Sequence, residues 1–162
     1  MHNETHNTMT RFIIIISLIL FSASYSQAQS CYGFHLTKGC DVRDTDEYKN
    51  FSASRSVMVE AQRTYQYQLT LYGGYDYKVG LCTEKGYYPI HFKIINADDN
   101  SVFYDNYEDD YVETVGFTND NTRNVIIEVT LLASKMEFRD SADLRACLGI
   151  AFFWRKVPKL GF

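Results

Sequence analysis

Thr64-Tyr-Gln-Tyr-Gln-Leu-Thr-Leu-Tyr-Gly-Gly-Tyr-Asp-Tyr-Lys-Val-Gly-Leu-Cys82 decides the fold class. In its first arm Tyr65, Tyr67, Leu69 and Leu71 alternate with Gln66, Gln68 and Thr70; beyond Gly73 and Gly74, Tyr75, Tyr77, Val79 and Leu81 alternate with Asp76, Lys78, Gly80 and Cys82. Successive side chains of a strand point to opposite faces, so each arm has one large apolar face and one polar or small face. The glycine pair marks a tight reversal, and the stretch reads as a hairpin with a wall to bury.

The same period recurs to either side. Arg55 to Ala61 sets Val57, Val59 and Ala61 against Ser56, Met58 and Glu60. Ile90 to Ile95 turns Ile90, Phe92 and Ile94 inward, Val102 to Asp105 is a short strand, and Tyr111 to Phe117 is another without a clear phase. Asn124 to Leu132 alternates strongly, and Leu148 to Trp154 is the last strand before Pro158. About eight short strands with no convincing helix predict an all-β fold, an antiparallel, jelly-roll-like β-sandwich over residues 54–157. Residues 29–53 show no sustained period and form a lead-in; residues 158–162 are a tail.

Residues 1–28 read as a signal peptide. Phe12 to Phe21 is a continuous apolar run, shorter than the roughly 20 residues a bilayer span needs, with Arg11 before it and the small residues of Ser26-Gln-Ala28 after it. A cut after Ala28 leaves a secreted or periplasmic chain, and Met9 would make a more usual start than Met1. Ala28-Gln-Ser30 fits poorly the box that precedes a lipidated cysteine, which speaks against a lipoprotein anchored at Cys31. The formal charge is −4, from 16 basic and 20 acidic residues, which offers no basic face for nucleic acid. A non-alternating end containing Pro158 argues against an outer-membrane barrel.

Cys31, Cys40, Cys82 and Cys147 all follow the predicted cut, and an even count in an exported chain implies two disulfides. Three pairings are open. The expected one joins Cys31 to Cys40 as a local clip and Cys82 to Cys147 as a long staple, because Cys82 and Cys147 each lie opposite their strand's large residues, near Gly80 and Gly149. Zinc on Cys31, His35 and Cys40 is the rival reading, at a spacing that matches no strong zinc pattern.

Tyr65 to Cys82, with Ile90 to Asp105 and Asn124 to Leu132, resembles the core of pre-peptidase C-terminal-like β-sandwiches, and the chain is similar to small exported proteins of Bacteroidetes-type bacteria. The resemblance implies a sandwich that accompanies secreted proteins or binds polymers, without chemistry of its own.

Catalytic motifs are absent: there is no Gly-x-Ser-x-Gly, His-Glu-x-x-His or phosphate-cradling loop, and no cofactor motif. His91 reads as a solvated histidine. Asp98, Asp99, Asp105 and Asp109, in two neighbouring acidic turns, offer oxygen ligands for calcium. Tyr87, Tyr88 and Tyr107, at turns, offer rings to a sugar or a protein partner. Ser141, in Asp140-Ser-Ala142, resembles an acceptor for O-glycans. The sequence therefore predicts a non-catalytic binding or accessory module for a polysaccharide or protein ligand. The alternative is a structural or surface-assembly subunit with a protein partner, and a hydrolase stands behind both.

Overall fold

The computed structural model describes residues 31–37, 39–43, 45, 47–134 and 144–157. Nine strands account for most of them: β1 Lys49–Asn50, β2 Arg55–Glu60, β3 Thr64–Leu71, β4 Tyr75–Thr83, β5 Ile90–Asn96, β6 Val102–Asp105, β7 Thr114–Asn119, β8 Arg123–Leu131 and β9 Arg145–Lys156. The predicted signal peptide, the Ser141 acceptor and the 158–162 tail lie outside the described residues. Among the described residues no helix is long and apolar enough to cross a membrane.

The strands form two antiparallel sheets. One runs β2-β9-β4-β7, with β1 pairing β9 ahead of β2 on the same side; the other runs β3-β8-β5-β6. Successive strands from β2 onward change sheet at every step except β5 to β6, which is the connectivity of a jelly roll. The predicted sandwich is thus observed, but the predicted hairpin is not. β3 pairs with β8, whereas β4 pairs with β7 and β9. Tyr72 to Gly74 is a crossing between sheets. Each arm of the quoted stretch carries its own apolar face, and placing the arms in opposed sheets lets those faces meet. Gly73 is required there: a Cβ would lie 2.6 Å from the Asp120 carbonyl oxygen.

Tyr77, Val79, Leu81, Phe152, Ile150 and Leu148 from one sheet pack on Leu69, Leu71, Ile90, Phe92, Val125 and Ile127 from the other. Burying a side chain of this size contributes about 1.5–3 kcal/mol. The strand expected over Tyr111 to Phe117 begins three residues later, because Asp110 and Tyr111 adopt left-handed backbone (φ 52° and 60°) that no strand accepts.

The lead-in is part of the packing. A single 3₁₀ turn, Phe34–Leu36, packs against β9, and β1 extends the sheet alongside β9; on the outer face Cys40, Tyr48, Cys82, Ala151 and Phe153 form a second apolar cluster with Phe34 and Val42. Both disulfides cross this layer, Cys31 to Cys147 and Cys40 to Cys82, which corrects the expected pairing. The register gives the reason. Cys82 sits opposite Gly149, so Cys147 is its diagonal neighbour two residues along. Diagonal neighbours in a sheet stand about 7–8 Å apart at Cα, beyond the reach of a disulfide. Gly80 and Gly149 do mark a close backbone approach, but the approaching chain is the lead-in: a Cβ on Gly80 would lie 2.6 Å from the Cys40 carbonyl oxygen.

Candidate binding cleft

A sandwich has two long seams where the edges of its sheets face one another. At the β2/β3 seam, side chains close the gap. The Tyr65 hydroxyl accepts from Glu60 N–H at 2.9 Å, the Tyr67 hydroxyl donates to the Ala53 carbonyl at 3.1 Å, and the Arg55 guanidinium lies 3.3 Å from the centre of the Tyr67 ring. At the β6/β7 seam, among the described residues, no hydrogen bond joins the two strands. A cleft of about 460 Å³ opens there, within the usual range for ligand sites. Ile94, Leu71, Val125, Val115 and Phe117 form its apolar walls, and Asn119, Asp120 and Arg123 form part of its polar rim. The Arg123 guanidinium stands over the Phe103 ring at 5.1 Å.

Two buried asparagines set the ends of β7. Asn106, with no exposed surface, accepts from Phe92 N–H at 2.8 Å and donates to the carbonyls of Ile90 at 2.8 Å and Val112 at 3.0 Å. It thereby ties the acidic 106–113 loop to β5. Asn119 donates to the carbonyls of Leu71, Tyr72 and Asn121, which joins the far end of β7 to the inter-sheet crossing. Sequence reasoning passed over both, and a lone asparagine at a loop boundary carries no signal of burial.

Tyr104 lines the cleft and donates its hydroxyl to Asp109 Oδ2 at 2.8 Å; burial, reinforced by that carboxylate, pushes its pKa up to about 12. Asp76, behind β7, is held below the usual carboxylate range chiefly by the Thr118 hydroxyl, with Arg155 adding to it against the opposing effect of burial.

The residues expected to carry function separate. Tyr87 is 6% exposed and Tyr88 packs beside it against the core; the Tyr87 hydroxyl donates to the Arg145 carbonyl, and the Tyr88 hydroxyl accepts from Thr83 N–H. Both hydroxyls are thus engaged with backbone groups at one end of the sandwich. Tyr107 is 59% exposed and meets the rings of His91 and Tyr111 edge-on. His91 is half-buried and donates from Nε2 to Asp105 Oδ1 at 2.8 Å, while Lys93 Nζ stands 3.3 Å from Asp105 Oδ2. Burial would raise the Asp105 pKa, but bonds from Tyr107 N–H, His91 and Lys93 outweigh it and hold the carboxyl below its ordinary value.

The four aspartates expected to bind calcium do not converge. Asp105 is engaged as above, Asp109 accepts from Tyr104, Asp99 accepts twice from Ser101, and Asp98 stands exposed in its turn. Among the described residues no three His, Cys, Asp or Glu side chains come together as a metal site.

No family model matches the chain, and no curated protein matches it. Among solved structures it is similar to PliG of Aeromonas hydrophila, a periplasmic inhibitor of g-type lysozyme, with 11% identity and a TM-score of 0.42 over 70% of this chain and 91% of that one.

A second depression lies near the β3–β4 crossing. Phe51, Tyr72, Tyr75 and Trp154 line it, with Tyr75 and Trp154 stacked at 4.6 Å between ring centres. It is more open to solvent than the β6/β7 cleft.

Proposed function

We propose that this chain is an exported, non-catalytic binding module that takes a protein ligand at the β6/β7 seam. The observation that carries the reading is the asymmetry of the sandwich: one seam is closed by tyrosine and arginine side chains, and the other is left as an apolar cleft with a polar rim. Two disulfides support export, since such bonds persist in oxidising compartments. The resemblance proposed from the sequence, to pre-peptidase C-terminal-like sandwiches, implies an accessory part rather than a chemical one. A polysaccharide ligand has the aromatic depression near Trp154 in its favour, and a surface-assembly subunit would use the same open edge.

The test is photo-crosslinking in the exporting cell. A benzophenone side chain placed at Phe117 is expected to yield a protein adduct that Val115→Trp, which fills the cleft, abolishes. The same group at Gln68, on the outer face of β3, is expected to yield none. Equal adducts from both positions, or retention on polysaccharide with no protein adduct at Phe117, would overturn the reading.

A further inference from the structure

The edges of the two sheets are not guarded alike. An exposed edge presents a row of N–H and C=O groups that can template another strand, and natural edges are blunted by shortness, bulges, charges, proline or a covering segment. β6 has four residues, and its register with β5 slips between Ile94 and Ile95. β2 and β3 are tied across their seam by Tyr65, Tyr67 and Arg55. Among the described residues β7, Thr114-Val-Gly-Phe-Thr-Asn119, has none of these protections: its six residues keep unbroken register with β4 and include no charge and no proline.

The direction of its backbone groups follows from one bond. Leu81 N–H donates to the Glu113 carbonyl at 2.8 Å, and antiparallel pairs alternate between bonded and non-bonded. Val115 and Phe117 therefore bond to β4, while Thr114, Gly116 and Thr118 aim their N–H and C=O groups outward. On the same strand the side chains of Val115 and Phe117 line the cleft. A segment laid along β7 would gain main-chain bonds and could drop alternate apolar side chains over the cleft mouth.

Charge narrows the occupant. Residues 96–124, which contain β6, β7 and the loops that flank them, hold eight of the chain's 20 acidic residues and one of its 16 basic ones. That is −7 for this segment, against +3 for the remaining 12 acidic and 15 basic residues. Glu113 immediately precedes β7 and Asp120 immediately follows it. A field of one sign steers partners of the other and suppresses like-charged ones.

We propose that β7 accepts an extended segment of a basic protein as an added strand. The proposal rests on the seam being the protein-binding site and adds both the geometry and the charge of the partner.

The probe is a synthetic capped peptide alternating valine with lysine, with its valine–glutamate counterpart as control, titrated into the oxidised protein under amide hydrogen exchange. The lysine peptide is expected to slow exchange at Thr114, Gly116 and Thr118 by about tenfold or more, as new main-chain bonds require. Binding should weaken as the Debye length falls from about 10 Å at 0.1 M salt to about 3 Å at 1 M. Gly116→Pro removes an outward N–H that β4 does not use, a position where an edge strand tolerates proline, and should abolish binding. Gly116→Ala, whose Cβ would meet nothing closer than 3.7 Å, should retain it. Should Gly116→Pro fail to fold, the Glu113→Lys, Asp120→Lys double variant carries the test by shifting preference toward the glutamate peptide. Lysine-peptide binding without protection of the three amides overturns strand addition while leaving the cleft reading intact. Equal binding of both peptides overturns the basic partner, and binding of neither overturns the proposal as a whole. Failure of the Phe117 crosslink, by contrast, removes the cleft itself.

Discussion

Replacing Asn106 tests how the acidic loop and the start of β7 are held. Its side chain satisfies three backbone groups at 2.8–3.0 Å inside a site with no exposed surface. Asn106→Ala leaves the Phe92 N–H without its acceptor and the Ile90 and Val112 carbonyls each short of a donor. Each unmet buried polar group costs about 1–3 kcal/mol, and one donor and two carbonyls are affected, so the loss is at least about 3 kcal/mol. For a domain of this size that is a fall of about 10 °C in Tm. Asn106→Asp keeps the acceptor for Phe92 N–H but turns a second oxygen toward two carbonyls, which favours the protonated acid in the folded state. Its folded pKa is then raised, the native state binds more protons than the unfolded one, and stability falls as pH rises through the carboxylate range. Scanning calorimetry at about pH 4 and about pH 7 should show the Asp variant's deficit growing with pH while the Ala variant's stays level. Limited proteolysis should cut both variants within residues 107–113 faster than the parent. A Tm within about 2 °C of the parent for Asn106→Ala would refute the reasoning, because at about 3–4 °C per kcal/mol the bonds would then be worth well under 1 kcal/mol together.

Peptide mapping under non-reducing conditions should recover Cys31 with Cys147 and Cys40 with Cys82, and no Cys82–Cys147 peptide. With sequence separations of 42 and 116 between partners, the chain-entropy model gives about 4 and about 5 kcal/mol for the two bonds, read as the loss on paired Cys→Ser replacement. Gly149→Ala should cost about 1–3 kcal/mol in denaturant titrations, since its Cβ would lie 2.8 Å from Cys82 Sγ and 3.0 Å from His35 Cα. His35, whose Nδ1 lies 2.7 Å from the Ser56 hydroxyl, is held below its ordinary pKa of 6.5 by burial. The unfolded chain therefore binds its proton first, and the His35 contribution is full above about pH 6.5 and shrinks as pH falls below it. His35→Gln should flatten the fall in Tm over that interval.

The alternation that made strands legible was strongest where one face is apolar and the other polar, as in Tyr65 to Leu71 and Asn124 to Leu131, and those strands were placed to within a residue or two. β1 was missed because two residues carry no period. The pairing partners were hidden for a different reason. An apolar face on each arm around Gly73 and Gly74 fits a hairpin in one sheet and a crossing between two sheets equally well, and only the sum over all strands selects the crossing. The cysteines were readable as disulfides from their number and compartment. Their pairing depended on how the lead-in lies across β4 and β9, and nothing periodic in residues 31–50 reports that. The cleft was invisible for the same reason: it arises because β6 and β7 are neighbours in space and lack the bridging side chains that Tyr65, Tyr67 and Arg55 supply on the other seam. His91 read as solvated because it stands on a polar face, and its bond to Asp105, 14 residues on, depends on the β5–β6 pairing.

Among the described residues β7 is an uncovered edge, paired on one side only, and the rest of the account depends on this. Residue-resolved amide hydrogen exchange on the free, oxidised protein measures this directly. The account predicts fast exchange at Thr114, Gly116 and Thr118 and slow exchange at Val115 and Phe117, an alternation along one strand. Uniformly slow exchange from Thr114 to Asn119 would mean that another segment already covers the edge, and would contradict it.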